Sequence, residues 1–402
     1  MTIIADDLTG ALDSGVHFLP AQVEVAVLAD AECYQNPENL PCVLSINADT
    51  RHDTAQEAYE KVFSLTSAAR KAGARCVVKK TDSALRGNVG AELAAAYDAM
   101  GVRRLHFLPA LPGIGRVTKG GVQLVDGVSV SASSFGRDPF EPVVCSRIDH
   151  LVKTQTDIPV CLVAVGEPVP TGFSGIIVYD ATTAEDMRSR VQELADMGEL
   201  DVVAGCAGLT EALSGVLGLG KDDTPEAAPR GGNLLVACGS VSPVSHAQCA
   251  YAREAGAAVF PVAGHQKCNQ AWTGSPEGAA FVEKVGKSWE NSPLTVIDGS
   301  RHENLEGLVP EDADVRQTVA DSIANILLHV CEQKIYGRVL VTGGDILASF
   351  LAQAGVKRLR PASETVGGIV AMEVTLGAGH LVLAAKSGGF GEKELFVDLS
   401  RN

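Results

Sequence analysis

The chain has 402 residues, of which 46% are hydrophobic and 42 are glycine. Lys and Arg number 33 against 49 Asp and Glu, which gives a formal net charge of −16 at pH 7. This length and composition exclude a disordered chain and predict a soluble α/β protein of two or three domains. The acidic excess argues against non-specific binding to nucleic acid or to an anionic membrane, because both carry negative charge.

The ten cysteines are scattered along the chain and form no CxxC pair. This spacing indicates free thiols in a reducing compartment rather than a zinc site or a disulfide framework. The chain enters an apolar strand at Thr2–Ala5 without a basic leader or cleavage site, and no apolar run reaches the length of a membrane span. We therefore expect a cytoplasmic protein.

Two adjacent carboxylates, Asp6 and Asp7, follow the first predicted strand, and a helix begins near Thr9 and Gly10. Ligands of open α/β sheets bind at the carboxyl ends of the strands, where these two side chains lie. One Asp could serve only to cap the helix. Two in a row exceed that need, so the pattern favours a functional role for at least one.

Arg51 follows another predicted strand, Val43–Ile46, and precedes a helix that Thr54 and Glu57 open as a capping box. Its place after a strand favours an anion contact, with a plain surface charge as the alternative.

The densest polar window lies between the predicted strand Arg75–Lys80 and a helix, Val89–Met100, that Asn88 caps and Gly101 ends. An Arg side chain offers a planar fork for a carboxylate, and Asp or Asn can bond to hydroxyls. We expect this window to bind a hydroxylated carboxylate, the alternative being an ordinary surface turn. The candidate side chains are Lys80, Asp82, Ser83, Arg86 and Asn88.

A glycine-rich loop, 111–121, follows the predicted strand Leu105–Ala110 and carries Arg116, Thr118 and Lys119. A long loop inside a compact domain is more often functional than idle. The segment from this loop to Phe140 lacks periodicity, and we interpret it as a flap or a hairpin.

Residues 218–232 are rich in Pro, Gly and charge and predict a linker. The chain is thereby divided into a first domain, 1–217, and a second domain, 233–402. Strands alternate with helices in both, which predicts two α/β domains, each a mostly parallel sheet flanked by helices. Segment 264–308 remains unassigned, and a long amphipathic helix is predicted from Asp312 to Glu332.

Three Gly/Ser turns follow predicted strands of the second domain, at 239–242, 342–345 and 387–391. Small residues let backbone N–H groups approach an anion closely, and a helix start adds the positive end of its dipole. These turns therefore predict a phosphate cradle, although glycine pairs also occur for steric reasons alone. The chain has neither a P-loop nor a dinucleotide fingerprint. Candidate contacts are Ser240, Ser242, Thr342, Gly343, Gly344, Asp345, Gly388 and Gly389.

Taken together, these segments resemble the four-carbon acid sugar kinase family, which phosphorylates threonate, erythronate or 3-oxo-tetronate with ATP. The resemblance is specific, because the segments occur in the family's order and span nearly the whole chain. The matching segments are IADDLTGALDSG at 4–15, DTRH at 49–52, KKTDSALRGNVGAE at 79–92, LPALPGIGRVTKGG at 108–121, CGSVSPVS at 238–245, TGGD at 342–345 and KSGGFG at 386–391. The chain departs from the family at Ala84 and Ile346, where Thr is usual, and at Val117, which replaces the first Thr of the usual GRTT.

The resemblance implies that the first domain binds the acid, the second binds ATP, and the active site lies in the cleft between them. It also implies Mg²⁺ bridging the phosphates, and a carboxylate that accepts the proton of the attacking hydroxyl. Asp82, Asp7 and Asp345 are the candidates for that carboxylate. The predicted acid-site residues are Asp6, Asp7, Arg51, Asp82, Ser83, Arg86 and Arg116, and the predicted ATP contacts are Ser240, Thr342, Gly343, Gly344, Asp345 and Gly388.

The expected partners are thus a small-molecule sugar acid and ATP, with no nucleic acid and no membrane. The oligomeric state stays open, a homodimer being one option. Two other functions compete with the kinase. A non-catalytic sensor on the same scaffold is disfavoured by the intact set of Asp and Arg residues, and an oxidoreductase is disfavoured because no dinucleotide fingerprint follows any strand.

Overall fold

The computed structural model describes residues 1–19, 23–34, 41–138, 141–219, 232–240, 242–301, 303, 305, 307–310, 313–333, 335, 337–364, 369–376 and 379–401. The chain divides into two compact units, Met1–Pro225 and Glu226–Asn402. Most of the predicted linker, from 220 to 231, lies outside the described residues, so its boundaries stay a prediction. The placement of the active site in a cleft likewise stays a prediction.

The first unit is built on a parallel sheet in the order β2-β3-β1-β4-β11-β5-β10-β9. Its strands are short apolar runs rich in Val and Ile, as expected for parallel strands that are covered on both faces. The strands of this unit, with the small antiparallel sheet β6-β7-β8, are β1 Thr2–Ala5, β2 Val25–Leu28, β3 Val43–Asn47, β4 Val77–Lys80, β5 Arg104–Leu108, β6 Arg116–Lys119, β7 Val122–Val125, β8 Val128–Ser129, β9 Val160–Val163, β10 Gly175–Tyr179 and β11 Val202–Gly205.

Helices cover both faces of this sheet. Ile3 and Ile4 are successive residues of β1 and belong to separate buried clusters, because side chains alternate between the faces of a strand. Val62 packs with Ile4, and Leu213 packs with Ile3. The helices of this unit are α1 Leu8–Val16, α2 Ala55–Lys71, α3 Val89–Met100, α4 Ile148–Lys153, α5 Ala184–Asp196 and α6 Ala207–Val216.

Two predicted helix ends are confirmed. Thr54 forms the predicted capping box with Glu57, and Gly101 ends α3 with φ 62°. Asn88 is the N-cap residue of α3, as predicted, but its side chain makes no capping hydrogen bond. Its Oδ1 accepts from Nε2 of Gln155, and its Nδ2 donates to the carbonyls of Thr50 and Asp53.

The prediction of a loop over 111–121 was wrong in part, because Arg116–Lys119 is a strand. It pairs with Val122–Val125, which in turn pairs with Val128–Ser129. The hairpin interpretation of this segment is therefore confirmed. Residues 139–140, which end it, lie outside the described residues.

The second unit has a mixed sheet in the order β13-β14-β12-β15-β18-β17-β16. The neighbouring strands β13, β14, β12, β15 and β18 pair in parallel. At the β18 side of the sheet, β17 pairs antiparallel with β18, and β16 pairs antiparallel with β17. Its elements are β12 Asn233–Cys238, α7 Pro243–Glu254, β13 Ala258–Pro261, α8 Gly264–Lys267, α9 Pro276–Asn291, β14 Leu294–Asp298, α10 Val315–Gln333, β15 Gly337–Thr342, α11 Gly344–Gln353, β16 Arg358–Glu364, β17 Ile369–Leu376, β18 Gly379–Lys386 and α12 Leu395–Arg401.

The segment that the sequence left unassigned contains α9 and β14. A signal for α9 was present, because Ser275 caps it, Pro276 follows, and Val282, Val285 and Trp289 are buried at helical spacing. The long helix predicted from Asp312 is described from Val315, since Asp312 lies outside the described residues.

Among the described residues, no helix combines the length and the apolarity needed to cross a membrane. The cysteines whose side chains the structure describes are all free thiols.

Candidate functional site

The carboxyl ends of three neighbouring strands carry the polar segments of the first unit. β1 lies between β3 and β4, and the register aligns Ala5 with Asn47 on one side and with Lys80 on the other. Because the strands are parallel, the segments that follow them emerge at the same edge of the sheet. The structure thereby brings together side chains that the sequence predicted separately, namely Asp6, Asp7, Arg51, Asp82 and Arg86.

Arg51 is the centre of this cluster and is 9% exposed. Its Nε and Nη2 donate to Oδ2 of Asp6 at 2.9 and 2.7 Å, and its Nη1 donates to Oδ2 of Asp7 at 2.6 Å. Burial alone would lower the pKa of Arg51, but the neighbouring carboxylates raise it well above its ordinary value. Arg51 therefore stays charged, and its donors are largely engaged within the protein.

The two adjacent carboxylates have different environments. Asp7 is the N-cap of α1, where its Oδ1 accepts from the backbone N–H of Gly10 at 2.7 Å. Asp6 is 1% exposed, and its Oδ1 has no hydrogen-bond partner within the described residues. The capping alternative thus holds for Asp7, while Asp6 retains a buried acceptor that a ligand hydroxyl can satisfy.

Asp82 pairs with Arg86 four residues later and lies 3.8 Å from Nη2 of Arg51. Burial would raise the pKa of Asp82, but Arg86 and Arg51 lower it overall. Asp82 is therefore held ionised at neutral pH. Such a carboxylate accepts hydrogen bonds well but is a weak proton acceptor.

Arg116, at the start of β6, differs from the other two arginines. It is 7% exposed, yet its Nε and Nη1 have no hydrogen-bond partner within the described part of the chain. Its nearest counter-charge is Asp126, 3.6 Å from Nη1. Burial lowers the pKa of this guanidinium, with Asp126 and Asp82 acting in the opposite direction. A bound anion would supply the missing partner.

The structure places the remaining predicted acid-site residues around this cluster. Lys80 is buried, donates to the carbonyl of Thr81, and lies 3.5 Å from Asp13. Asn88 ties neighbouring loops together, as described above. Ser83 is half-buried, and its carbonyl accepts from Gln123 at 2.8 Å.

Asp13 is a member of this cluster that the sequence analysis missed. Burial raises the pKa of Asp13 to about 7, with Lys80 acting in the opposite direction and Asp7 adding to the increase. A signal was present, because Asp13 is the one charged residue of helix α1. With this raised pKa, the carboxyl group of Asp13 changes charge near neutral pH.

In the second unit, β15 lies between β12 and β18, and the register aligns Thr342 with Cys238 and with Lys386. The three predicted Gly/Ser turns therefore start side by side at the carboxyl ends of parallel strands. This is the edge at which open α/β sheets bind their ligands. Two of the turns lead directly into the helices α7 and α11.

Close packing explains several small residues in these turns. Gly343 has φ 115°, a backbone conformation that side chains other than glycine rarely adopt. A Cβ on Gly388 would lie 2.0 Å from Oγ of Ser240. Ser242 caps α7 by accepting from the N–H of Val244 at 3.3 Å. Packing within the protein therefore requires glycine at 388, as in the steric alternative, and a phosphate cradle at these turns stays a prediction.

Two further residues, which the sequence analysis missed, hold the turns together. Ser245 donates to the carbonyl of Gly388 at 2.9 Å, and its Oγ lies 3.3 Å from Oγ1 of Thr342. The Lys386 ammonium group donates to the carbonyls of Ser387, Gly388 and Phe390. Burial lowers the pKa of Lys386 to about 8.

Asp345 lies in the first turn of α11, and its Oδ1 is 2.8 Å from Nη1 of Arg316 on α10. Among the described residues, no group of three or more His, Cys, Asp or Glu side chains is arranged to hold a metal ion. Mg²⁺ in nucleotide sites commonly takes one or two carboxylates, with the remaining ligands from phosphate and water. A role of Asp345 as one such carboxylate stays a prediction.

Comparisons with known proteins agree with the motifs. The family described as "Sugar-binding N-terminal domain" matches residues 1–213, and that described as "Nucleotide-binding C-terminal domain" matches residues 235–396. The D-threonate kinase of Salmonella typhimurium is 29% identical over 424 residues, which cover 99% of this chain and 97% of that protein. The chain belongs to the four-carbon acid sugar kinase family. This confirms the resemblance drawn from the sequence motifs.

The chain is also similar to a D-erythronate kinase and to two solved structures. The D-erythronate kinase of Heliobacterium modesticaldum is 28% identical, with coverage of 89% of this chain and 87% of that protein. A solved structure from Salmonella typhimurium LT2 has a TM-score of 0.74 at 21% identity, with coverage of 98% and 97%. One from Haemophilus influenzae has a TM-score of 0.69 at 20% identity, with coverage of 100% and 99%. These structures share the two-domain α/β fold.

The departures from the family's motifs are mostly buried. Ala84 is 0% exposed and packs with Val125 and Val130, and Ile346 is 3% exposed with its Cδ1 3.6 Å from where a Cβ on Gly343 would lie. Val117 lies on β6, paired with Leu124. The methyl groups at 84 and 346 therefore contribute to packing in this chain.

Proposed function

We propose that this chain is an ATP-dependent kinase that phosphorylates a hydroxyl group of a four-carbon sugar acid of the threonate, erythronate or 3-oxo-tetronate class. The names of its relatives support the reaction type and the acceptor class. The observation in this chain that carries the proposal is Arg116, a buried guanidinium with two unpaired donor atoms beside a cluster rich in hydroxyl-binding groups.

In this proposal Arg116 binds the carboxylate of the acid. A guanidinium matches the planar carboxylate with paired N–H groups, and because Nε and Nη1 of Arg116 form no hydrogen bonds within the described residues, binding at these atoms breaks none. Asp6 accepts a hydrogen bond from a hydroxyl through its unpaired Oδ1. Arg51 and Arg86 hold Asp6, Asp7 and Asp82 in place, because their own donors are engaged with those carboxylates.

The phosphoryl donor is proposed to bind at the three Gly/Ser turns of the second unit. ATP supplies the transferred group, and Mg²⁺ on its phosphates would be held in part by Asp345. Backbone N–H groups of the turns and the starts of α7 and α11 stabilise negative charge without needing a side-chain cation. Phosphoryl transfer mainly requires positioning and charge neutralisation, which these elements provide.

The candidates for the proton acceptor differ in their pKa. Asp82 is poorly suited, because its pKa is held low by Arg86 and Arg51. Asp13 has the more suitable pKa, about 7, at which a carboxylate is basic enough to take a proton and is still substantially ionised. We therefore add Asp13 to the candidates Asp7, Asp82 and Asp345.

The test is an ADP-release assay with purified protein, ATP and Mg²⁺. Both enantiomers of threonate and erythronate, and the 3-oxo acid, serve as acceptors. We expect turnover with at least one acid, and little turnover with the matching four-carbon polyols, which lack the carboxylate. Turnover with no acid, together with acid-induced increases in melting temperature, would instead indicate a non-catalytic sensor.

A further inference from the structure

Two arginine side chains of the candidate acid site share one aromatic ring. The Cζ atoms of Arg86 and Arg116 lie 5.2 and 4.9 Å from the centroid of the Phe135 ring. Both distances are within the range in which a guanidinium is attracted by the negative face of an aromatic ring. Phe135 lies in the 3₁₀ turn Ser134–Arg137, and the sequence analysis gave it no role.

The way in which each guanidinium is held differs across the cluster. Arg51 and Arg86 are oriented by carboxylates, which occupy their N–H donors. A contact with a ring face orients a guanidinium without using any N–H group. Arg116 has this ring contact and a more distant carboxylate, Asp126, 3.6 Å from Nη1, and neither forms a hydrogen bond with its buried Nε and Nη1.

The ring is itself anchored. Phe135 packs against a small buried cluster that contains Val125, Val130 and Val143. Its backbone N–H donates to Oγ of Ser133 at 3.2 Å, and its carbonyl accepts from the N–H of Val143 at 3.0 Å. The position of the ring is therefore fixed by contacts that do not involve the arginines.

We propose that Phe135 is a positioning residue that holds Arg116 ready for the carboxylate of the acid while leaving its donors free. This proposal rests on the proposed function for the identity of the anion. The orientation of Arg116 by the ring does not depend on that identity, so the two can be tested separately.

The first measurement compares steady-state kinetics of Phe135→Leu, Phe135→Tyr and wild type. Leu retains apolar volume but has no ring face, whereas Tyr retains the ring. We expect KM for the acid to rise about tenfold in Phe135→Leu, as expected for losing a partly desolvated cation–π contact. KM for ATP should stay within about twofold, and Phe135→Tyr should behave like wild type. Phe63→Leu is the matched control, because Phe63 is 38% exposed and stacks only on Tyr59 among the described aromatic rings.

The second measurement needs no substrate. NMR order parameters of the Arg116 Nε–Hε group report whether the guanidinium is immobile. We expect a rigid group in wild type and in Phe135→Tyr, and a mobile group in Phe135→Leu. Phe135→Met, with a flexible side chain of similar volume, replaces the Leu variant if that variant does not fold.

A rigid Arg116 in the variants without a ring would overturn the proposal. So would equal rises in KM for acid and for ATP, or a Tyr variant as impaired as the Leu variant. If wild type phosphorylates none of the acids, the proposed function fails, and the NMR comparison still decides whether Phe135 positions Arg116.

Discussion

Asp82 accepts two hydrogen bonds from Arg86, from Nε to Oδ2 at 2.9 Å and from Nη2 to Oδ1 at 3.0 Å. The same carboxylate accepts from the backbone N–H groups of Ala84 and Arg86 at 3.2 Å. A short polar window after β4 is thus folded around one buried carboxylate. The fixed fork of the guanidinium matches both oxygen atoms, which gives the pair a single geometry.

Replacing Arg86 tests whether this geometry is needed for activity. We expect Arg86→Ala to lower kcat/KM by roughly 100-fold or more, because it leaves a buried charge without its partner. Arg86→Lys should restore little, since an ammonium group cannot form the paired contact. Circular dichroism and melting curves serve to show that both variants stay folded. Wild-type rates in either variant would remove Arg86 from the site.

We expect Arg116 to strengthen binding of the acid and to lower the stability of the ligand-free protein. A buried donor without a partner costs about 1–3 kcal/mol. Arg116→Met, which retains most of the side-chain volume, should therefore raise the melting temperature of the free protein by roughly 2–5 °C. The same variant should lose the stabilisation that the acid gives to wild type. Differential scanning fluorimetry with and without the acid measures both effects, and a lower melting temperature with unchanged acid response would contradict the prediction.

Asp345 and Arg316 form an ion pair, so a substitution of Asp345 alone would not separate chemistry from structure. We expect Asp345→Ala to abolish most activity. Arg316→Ala breaks the same pair, whose atoms lie 2.8 Å apart, but retains the carboxylate. It should reduce activity far less if Asp345 acts on the nucleotide or its metal. Equal losses in kcat for the two variants would show that Asp345 acts only through the ion pair.

The raised pKa of Asp13 predicts that activity depends on pH. Its carboxyl group has a raised pKa of about 7, so its ionised fraction increases as the pH rises through neutrality. If Asp13 accepts the proton, kcat/KM should rise about tenfold per pH unit below pH 7 and level off above it. Asp13→Asn should remove this rise, whereas Asp30→Asn, which removes an exposed carboxylate, should not. An unchanged profile in Asp13→Asn would assign the proton to another group.

Stability against acid should depend on His106 of β5. Its Nδ1 lies 2.8 Å from the hydroxyl of Tyr179 and its Nε2 lies 2.9 Å from Oε2 of Glu199. Burial lowers the pKa of His106 from 6.5 to about 4, with Glu199 acting in the opposite direction. Between these pH values the unfolded chain binds the extra proton and the folded chain does not.

The free energy of unfolding should therefore fall by roughly 3 kcal/mol as the pH is lowered from 6.5 to 4 through this group alone. His106→Asn should be less stable near pH 7 but should lose less stability over that range. Urea unfolding curves at several pH values measure the difference between the two proteins. Parallel losses in both would exclude His106 as the responsible group.

The sequence by itself determined the family, the α/β class and the positions of most polar segments. Short apolar runs predict buried parallel strands, and parallel strands end at one edge. Asp6, Arg51 and Arg86 were therefore each predicted to lie near such an edge, and the family resemblance grouped them in one acid site. The turns at 239–242, 342–345 and 387–391 were identified in the same way, because glycine and serine permit close approach of the backbone.

Only the tertiary structure decided how these side chains pair. Asp7 caps a helix, Arg51 is engaged by carboxylates, and Arg116 is oriented by Phe135 and keeps unpaired donors. Asp13 and Phe135 could be assigned to the site only from the structure, which places α1 and the 3₁₀ turn Ser134–Arg137 beside the other site residues. The reason is physical: local patterns fix a strand or a helix end over a few residues, whereas a hydrogen bond or a pKa depends on ångström distances between segments far apart in the chain.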